Sequence, residues 1–188
     1  MENCLKRFDA REVFNMVKFI VDENFNHHSS ESKDQNDHSE INAVYDEELT
    51  FIQDSEIFVE KDIHGSIQGT IRVLKWNFLD TLPIQKIFGI NPMHHLDMNK
   101  VNDVFHFGRL AIRKDCPSLS LLKKMIASAI APVCQHKQNV AFAECDHKLF
   151  RTLSILGIKM KVIGKSIHYL GSETIPVMIP YKGLIDFH

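Results

Sequence analysis

Two titratable side chains sit inside apolar runs of strand length: His106 in VFHFGRLAI (Val104–Ile112) and Glu144 in VAFAEC (Val140–Cys145). A histidine or carboxylate held among apolar neighbours is the kind of group that moves protons to and from a reacting atom. Strand alternation puts His106 with Val104 and Leu110, and Glu144 with Val140 and Phe142. Arg109 lies in the same run as His106, and Arg72 stands mid-strand in QGTIRVLKW. A guanidinium flanked by buried neighbours needs a carboxylate or phosphate partner, or must snorkel. RKDCPS then leads into a helical pattern in which Ser118 is a candidate cap. The free N–H groups of such a helix start can bind one phosphate, with Arg113, Lys114, Lys123 and Lys124 as a small basic patch. Each feature also has a plain reading: a satisfied core histidine, a paired buried glutamate, a paired Arg109 in an ordinary central strand, and a solvated basic helix face.

These residues need a sheet and helices to present them. At 188 residues the chain fits one domain with a sizeable core. The 44% hydrophobic and 24% charged composition is that of an ordinary globular protein, and a net charge of −2 gives no global footprint for nucleic acid. No run approaches the ~18 apolar residues of a membrane span, and MENCLKRFDARE has no apolar stretch of secretory-signal type. Cys4, Cys116, Cys134 and Cys145 form no CxxC pair and no metal spacing, so we expect no metal and reduced thiols in a cytoplasmic protein.

Asp9 and Glu12 have capping-box spacing ahead of a helix whose Val13, Met16, Val17, Ile20 and Val21 share a face. Residues 27–40, HHSSESKDQNDHSE, contain no apolar side chain and are expected to form a mobile surface loop. EIFVEK and QGTIRVLKW flank DIHGSI as a hairpin, and TLPIQKIFGINPMHHL reads as a short helix between turns. Leu122, Met125, Ile126, Ala129, Ile130 and Val133 form an apolar helix stripe that Pro132 should kink or end. Asp146 can cap a following helix with Leu149, Phe150, Leu153 and Leu156 inward and Gly157 at its end. Strand, helix, strand through this half implies a parallel crossover at the centre of a mixed sheet.

The order GTIRVL (Gly69–Leu74), FGRLAI (Phe107–Ile112), then HKLFRTLSILGIKM before IHYLG resembles the GNAT superfamily over residues 56–180. Within it, the likeness is to N-acyl amino acid synthases and acyl-homoserine lactone synthases, where a G-x-x-R strand precedes an E-x-x-R strand. Arg72 and Arg109 match the two arginines, and His106 stands where lactone synthases carry a glutamate. Asp46, Glu47 and Glu48 loosely echo their acidic stretch. The resemblance implies a GNAT-like α/β (α+β) fold: a single domain with a mixed central sheet, splayed parallel strands and helices on both faces.

It further implies transfer of an acyl chain from acyl carrier protein or acyl-CoA to the amine of an amino acid-like acceptor. His106, Glu144 and Arg109 are then the catalytic candidates and Arg72 the substrate-binding one. Backbone N–H groups of Leu110, Ala111 and Ile112 would serve the oxyanion and the pantetheine amides. Arg113, Lys114, Ser118 and Ser120 would meet the donor's phosphate. IRKDCPSLSLL has no glycine to wrap a pyrophosphate, so a single phosphate on a carrier protein fits it better than CoA. Many acetyltransferases carry a protonating Tyr where this chain has Leu153, and apolar residues of IQKIFGI and of the last helix can line an acyl tunnel. Direct transfer leaves Cys145 and His147 outside the chemistry. An acetyl-CoA-dependent small-amine acetyltransferase and a non-catalytic acyl-thioester-binding domain are the alternatives. A homodimer stays open.

Overall fold

A carboxylate organises the first hairpin. Asp62 Oδ1 accepts the N–H groups of His64 (2.8 Å) and Ser66 (2.9 Å), while Gly65 takes a φ of 82°. This turn joins β2 (Ser55–Lys61) to β3 (Ile67–Lys75). The computed structural model describes residues 4–5, 10–28, 37–115, 118–169 and 172–187. Its further strands are β1 (Cys4–Leu5), β4 (Val104–Ile112), β5 (Val140–Asp146), β6 (Lys161–Val162), β7 (Ile167–Tyr169) and β8 (Ser172–Pro180). They form one sheet in the order β1-β2-β3-β4-β5-β8-β6, with β7 also paired to β8. Only β4 and β5 run parallel among the described pairs.

Helices cover both faces. On one, α4 (Leu119–Cys134), α5 (His147–Ile155) and α6 (Tyr181–Leu184) close a core around Ile71, Val73, Phe105, Ala141, Ala143 and Val177. On the other, α1 (Ala10–His28) and α2 (Asp37–Phe51) pack on Ile57 and Val59, and α3 (Pro83–Phe88) sits by Leu74, Val104 and Phe142. Burying each such Val, Leu, Ile or Phe is worth about 1.5–3 kcal/mol. The helix starts follow their caps: Ser118 Oγ accepts the Leu121 N–H (3.2 Å), and Asp146 accepts that of Leu149 (2.7 Å). Gly157, at φ 91°, ends α5, and Pro132 falls in the last turn of α4.

The bounds of the expected loop, 27–40, are corrected at both ends. Helix α1 continues to His28 and α2 begins at Asp37; residues 29–36, like Asp9, Cys116 and Pro117, lie outside the described residues. A run without apolar residues shows only that nothing there is bound for the core. Polar residues cost a helix just tenths of a kcal/mol each, about 0.7 at most.

Asn139 ties the crossover at its closed end. Its side-chain oxygen accepts the Asp103 N–H (3.1 Å) and the Asn102 amide (3.0 Å), beside a Val140 N–H to Asp103 carbonyl bond (3.2 Å). The starts of β4 and β5 are thereby locked, so any separation of the two strands must open at the other end.

Candidate active site

That separation is present. β4 and β5 pair from Val104 with Val140 to Phe107 with Ala143, and there the parallel ladder stops. β4 continues beside β3, and β5 beside β8. A bulge marks the fork: Arg72 pairs with Gly108 and Thr70 with Ala111, so Arg109 and Leu110 together face Ile71. Arg109 takes φ 56°, a left-handed conformation that costs a non-glycine residue about 1–3 kcal/mol. Neither Arg109 nor Leu110 has a register partner on β3 or β5, and Glu144 and Cys145 have none on β4. The extra residue also overturns the expected alternation. Leu110 does not join Val104 and His106; it packs with Phe105 and Phe107 against the α4 face.

A polar cluster lies on the α1–α3 face between two apolar cores. Glu48 of α2 is buried, and its Oε1 accepts from Arg72 Nη1 at 2.5 Å and from Arg109 Nε at 2.7 Å. Glu47 Oε1 adds a 3.2 Å ion pair to Arg109 Nη2. Burial pulls the Arg72 guanidinium below its usual value, with Glu48 opposing. For Arg109 burial acts the same way, but the charges of Glu48 and Glu47 outweigh it and hold the group above its usual value. Beside this cluster, His106 Nε2 stands 3.0 Å from both Glu144 oxygens. Facing a carboxylate, Nε2 carries the imidazole proton. His106 Nδ1 is buried without a hydrogen-bond partner among the described residues. Gly108 makes room for both groups: a Cβ there would stand 3.2 Å from His106 Cε1 and 3.3 Å from Arg72 Nη2.

The structure thus joins His106, Glu144, Arg109 and Arg72 around one cleft of about 190 Å3. Arg72 is 1% exposed and serves as an ion-pair partner inside the wall, whereas Arg109 and Glu144 are 15% and 12% exposed. A partly exposed carboxylate oriented by an imidazole can take a proton from an incoming amine. Cys145 also lines the cleft, but burial, helped by the Glu144 and Asp146 charges, pushes its thiol far up, so it stays protonated and is no nucleophile.

Glu48, named in the sequence only as part of a loosely matching acidic stretch, is the buried partner of both arginines. Ile41, Val44, Tyr45, Glu48, Phe51 and Ile52 recur at helical spacing. An acid in an apolar stripe is the signal of a buried ion pair.

A second cavity, about 570 Å3, continues from the fork toward the head of α4. Leu110, Ala111, Ile112, Arg113 and Ser118 line one side and Asp146 to Leu149 the other. Lys114 and Ser120 are not in its wall; both are exposed, and the Lys114 N–H is held by the Glu23 carboxylate at 2.8 Å. The expected basic patch is dispersed. Lys124 pairs with Glu60 of β2 at 2.6 Å, and Arg113 lies 3.8 Å from Asp115. Lys148 and His147 take part in the wall instead, the latter 3.2 Å from Glu173.

No protein-family model and no curated protein matches the sequence. Solved structures do match. FeeM, an N-acyl amino acid synthase from uncultured soil microbes, superposes with a TM-score of 0.66 at 13% identity, covering 94% of each chain. The fold is that of the GNAT-type acyltransferases. A CoA-dependent acyl-homoserine lactone synthase, BjaI, solved with SAM and isopentyl-CoA, shares this GNAT-type fold at TM-score 0.64 and 12% identity, over 95% of this chain and 81% of that one. A GNAT-family acetyltransferase from Staphylococcus aureus gives 0.56 at 13% identity, over 93% and 96%. Among the described residues, no helix of the chain is long and apolar enough to cross a membrane.

Proposed function

We propose that the chain is an N-acyltransferase that moves an acyl group from a pantetheine thioester to the amine of an amino acid-like acceptor. The observation that carries this reading is the fork after Phe107 and Ala143, with Arg109 and Leu110 left without strand partners. Backbone amides there can bond a thread-like amide arm and the oxygen of a reacting thioester. The pantetheine lies in the larger cavity, and its phosphate meets the head of α4 at Ser118. The acceptor enters from the Arg109–Glu144 side, its carboxylate toward Arg109.

The neutral amine attacks the thioester carbon, and a C–N bond forms as the carbonyl oxygen gains charge. Glu144, steadied by His106, takes the amine proton, and the C–S bond breaks as the carbonyl reforms. The thiolate is then protonated by water, since Leu153 offers no proton. A phosphopantetheine on acyl carrier protein is the preferred donor, because the segment from Arg113 to Ser118 has no glycine with which to wrap a diphosphate. We place the reaction in the cytoplasm, with Cys134 and Cys145 as free thiols.

The test is mass spectrometry of lipids from cells overexpressing the wild type, Arg109→Ala or Glu144→Ala. N-acylated amino acids that appear with the wild type and fall at least tenfold in both variants support the proposal. Identical lipid profiles in all three would remove it.

A further inference from the structure

The cleft beyond the fork has a floor. Ile126 of α4, Leu153 of α5 and Ile179 of β8 converge on it, and they are 6%, 5% and 2% exposed. All three belong to one packed apolar core, which leaves no exit on that side. The cavity measures about 190 Å3 and holds both the polar wall around Arg109 and this apolar end. A dry cavity of about 150 Å3 takes up one benzene, so at that packing 190 Å3 holds about eight carbons. Because the acceptor shares the space, this is a ceiling.

We propose that this site selects short to medium acyl chains, about eight carbons or fewer, with Leu153 of that floor setting the limit. The inference rests on the acyl-transfer reading and narrows its donor. Long chains have no room without displacing packed core side chains, and that displacement is costly.

The experiment uses the full chain with butanoyl, octanoyl, dodecanoyl and hexadecanoyl thioesters of CoA and of acyl carrier protein. Product is read by mass spectrometry with a mixture of the twenty amino acids as acceptors. The shift in melting temperature with each donor, acceptor omitted, is read in parallel. We expect kcat/KM for dodecanoyl and hexadecanoyl donors to fall at least tenfold below octanoyl, and the melting shift to follow the same order. Leu153→Ala deletes three carbons of side chain and should move the optimum up by about three carbons. Ile126→Val, a milder change, should give a smaller move in the same direction if Leu153→Ala does not fold. Equal use of octanoyl and hexadecanoyl donors overturns the chain-length proposal while leaving acyl transfer standing. No product from any donor overturns acyl transfer, and the melting series then still decides chain selection: a preference for octanoyl upholds it, and an indifferent series ends it.

Discussion

Removing the Glu48 carboxylate should reveal how the fork is held. Its Oε1 bonds both Arg72 and Arg109, and both Glu48 and Arg72 are 1% exposed at the side chain. In Glu48→Ala, Arg72 is left as a buried cation without its bonded anion, and Arg109 retains the Glu47 ion pair. Breaking one partner of such a pair costs about 3–5 kcal/mol, because the surviving charge remains out of water. Against the about 5–15 kcal/mol that stabilises a domain, this is a large share and shifts the folding equilibrium by about two to four decades. Urea denaturation at neutral pH measures it, as a lower midpoint at unchanged slope. Glu48→Gln keeps an acceptor oxygen but no charge and should fall between. Glu48→Leu combined with Arg72→Met replaces the buried pair by apolar volume and should recover much of the stability. It should not recover acyl transfer, because Arg109 at φ 56° has still lost its main anchor. A Glu48→Ala protein within about 1 kcal/mol of wild type would refute the reasoning, since burial of Arg72 would then need no counter-charge.

Arg109→Gly should be more stable than Arg109→Ala by about 1–2 kcal/mol, as glycine carries no penalty in the left-handed region; an alanine variant equal or superior in urea would contradict the bulge. Glu144→Gln should lower kcat by about 10²–10⁴ with KM little changed, and a steady-state profile with unaltered kcat would dismiss it as the base. Gly108→Val should cost more activity than stability, since its side chain must push His106 and Arg72; turnover compared with melting temperature reads the difference. Because burial raises the Cys145 thiol, it stays neutral at pH 8 and should resist iodoacetamide until the protein is denatured. Its alkylation in the folded state, seen by peptide mass spectrometry, would reopen the covalent route.

Strands β2 to β5 and the helices α1, α3, α4 and α5 were legible in the chain because their signals are local. Period-two alternation placed His106 with Val104 and Glu144 with Val140 and Phe142, and period 3.6 placed the α4 stripe. Ser118 and Asp146 announced helix starts with their own side chains. The pairing of His106 with Glu144 was half legible: each residue's face could be read, but the register that set them 3.0 Å apart could not. Helix α2 went unread because its stripe is broken by an acid and preceded by a polar run.

By itself, then, the sequence determined most of the strands and helices, α2 apart, and marked Arg72, His106, Arg109 and Glu144 as polar groups set among apolar ones. Those outcomes follow from neighbours within a few residues. Tertiary structure alone decided the bulge at Arg109, the fork it opens, and the choice of Glu48 as the partner of both arginines. A bulge is a mismatch between two strands, and a buried charge accepts whichever counter-ion the packing brings within reach. Both depend on residues far apart along the chain, where Glu48 stands 61 positions from Arg109.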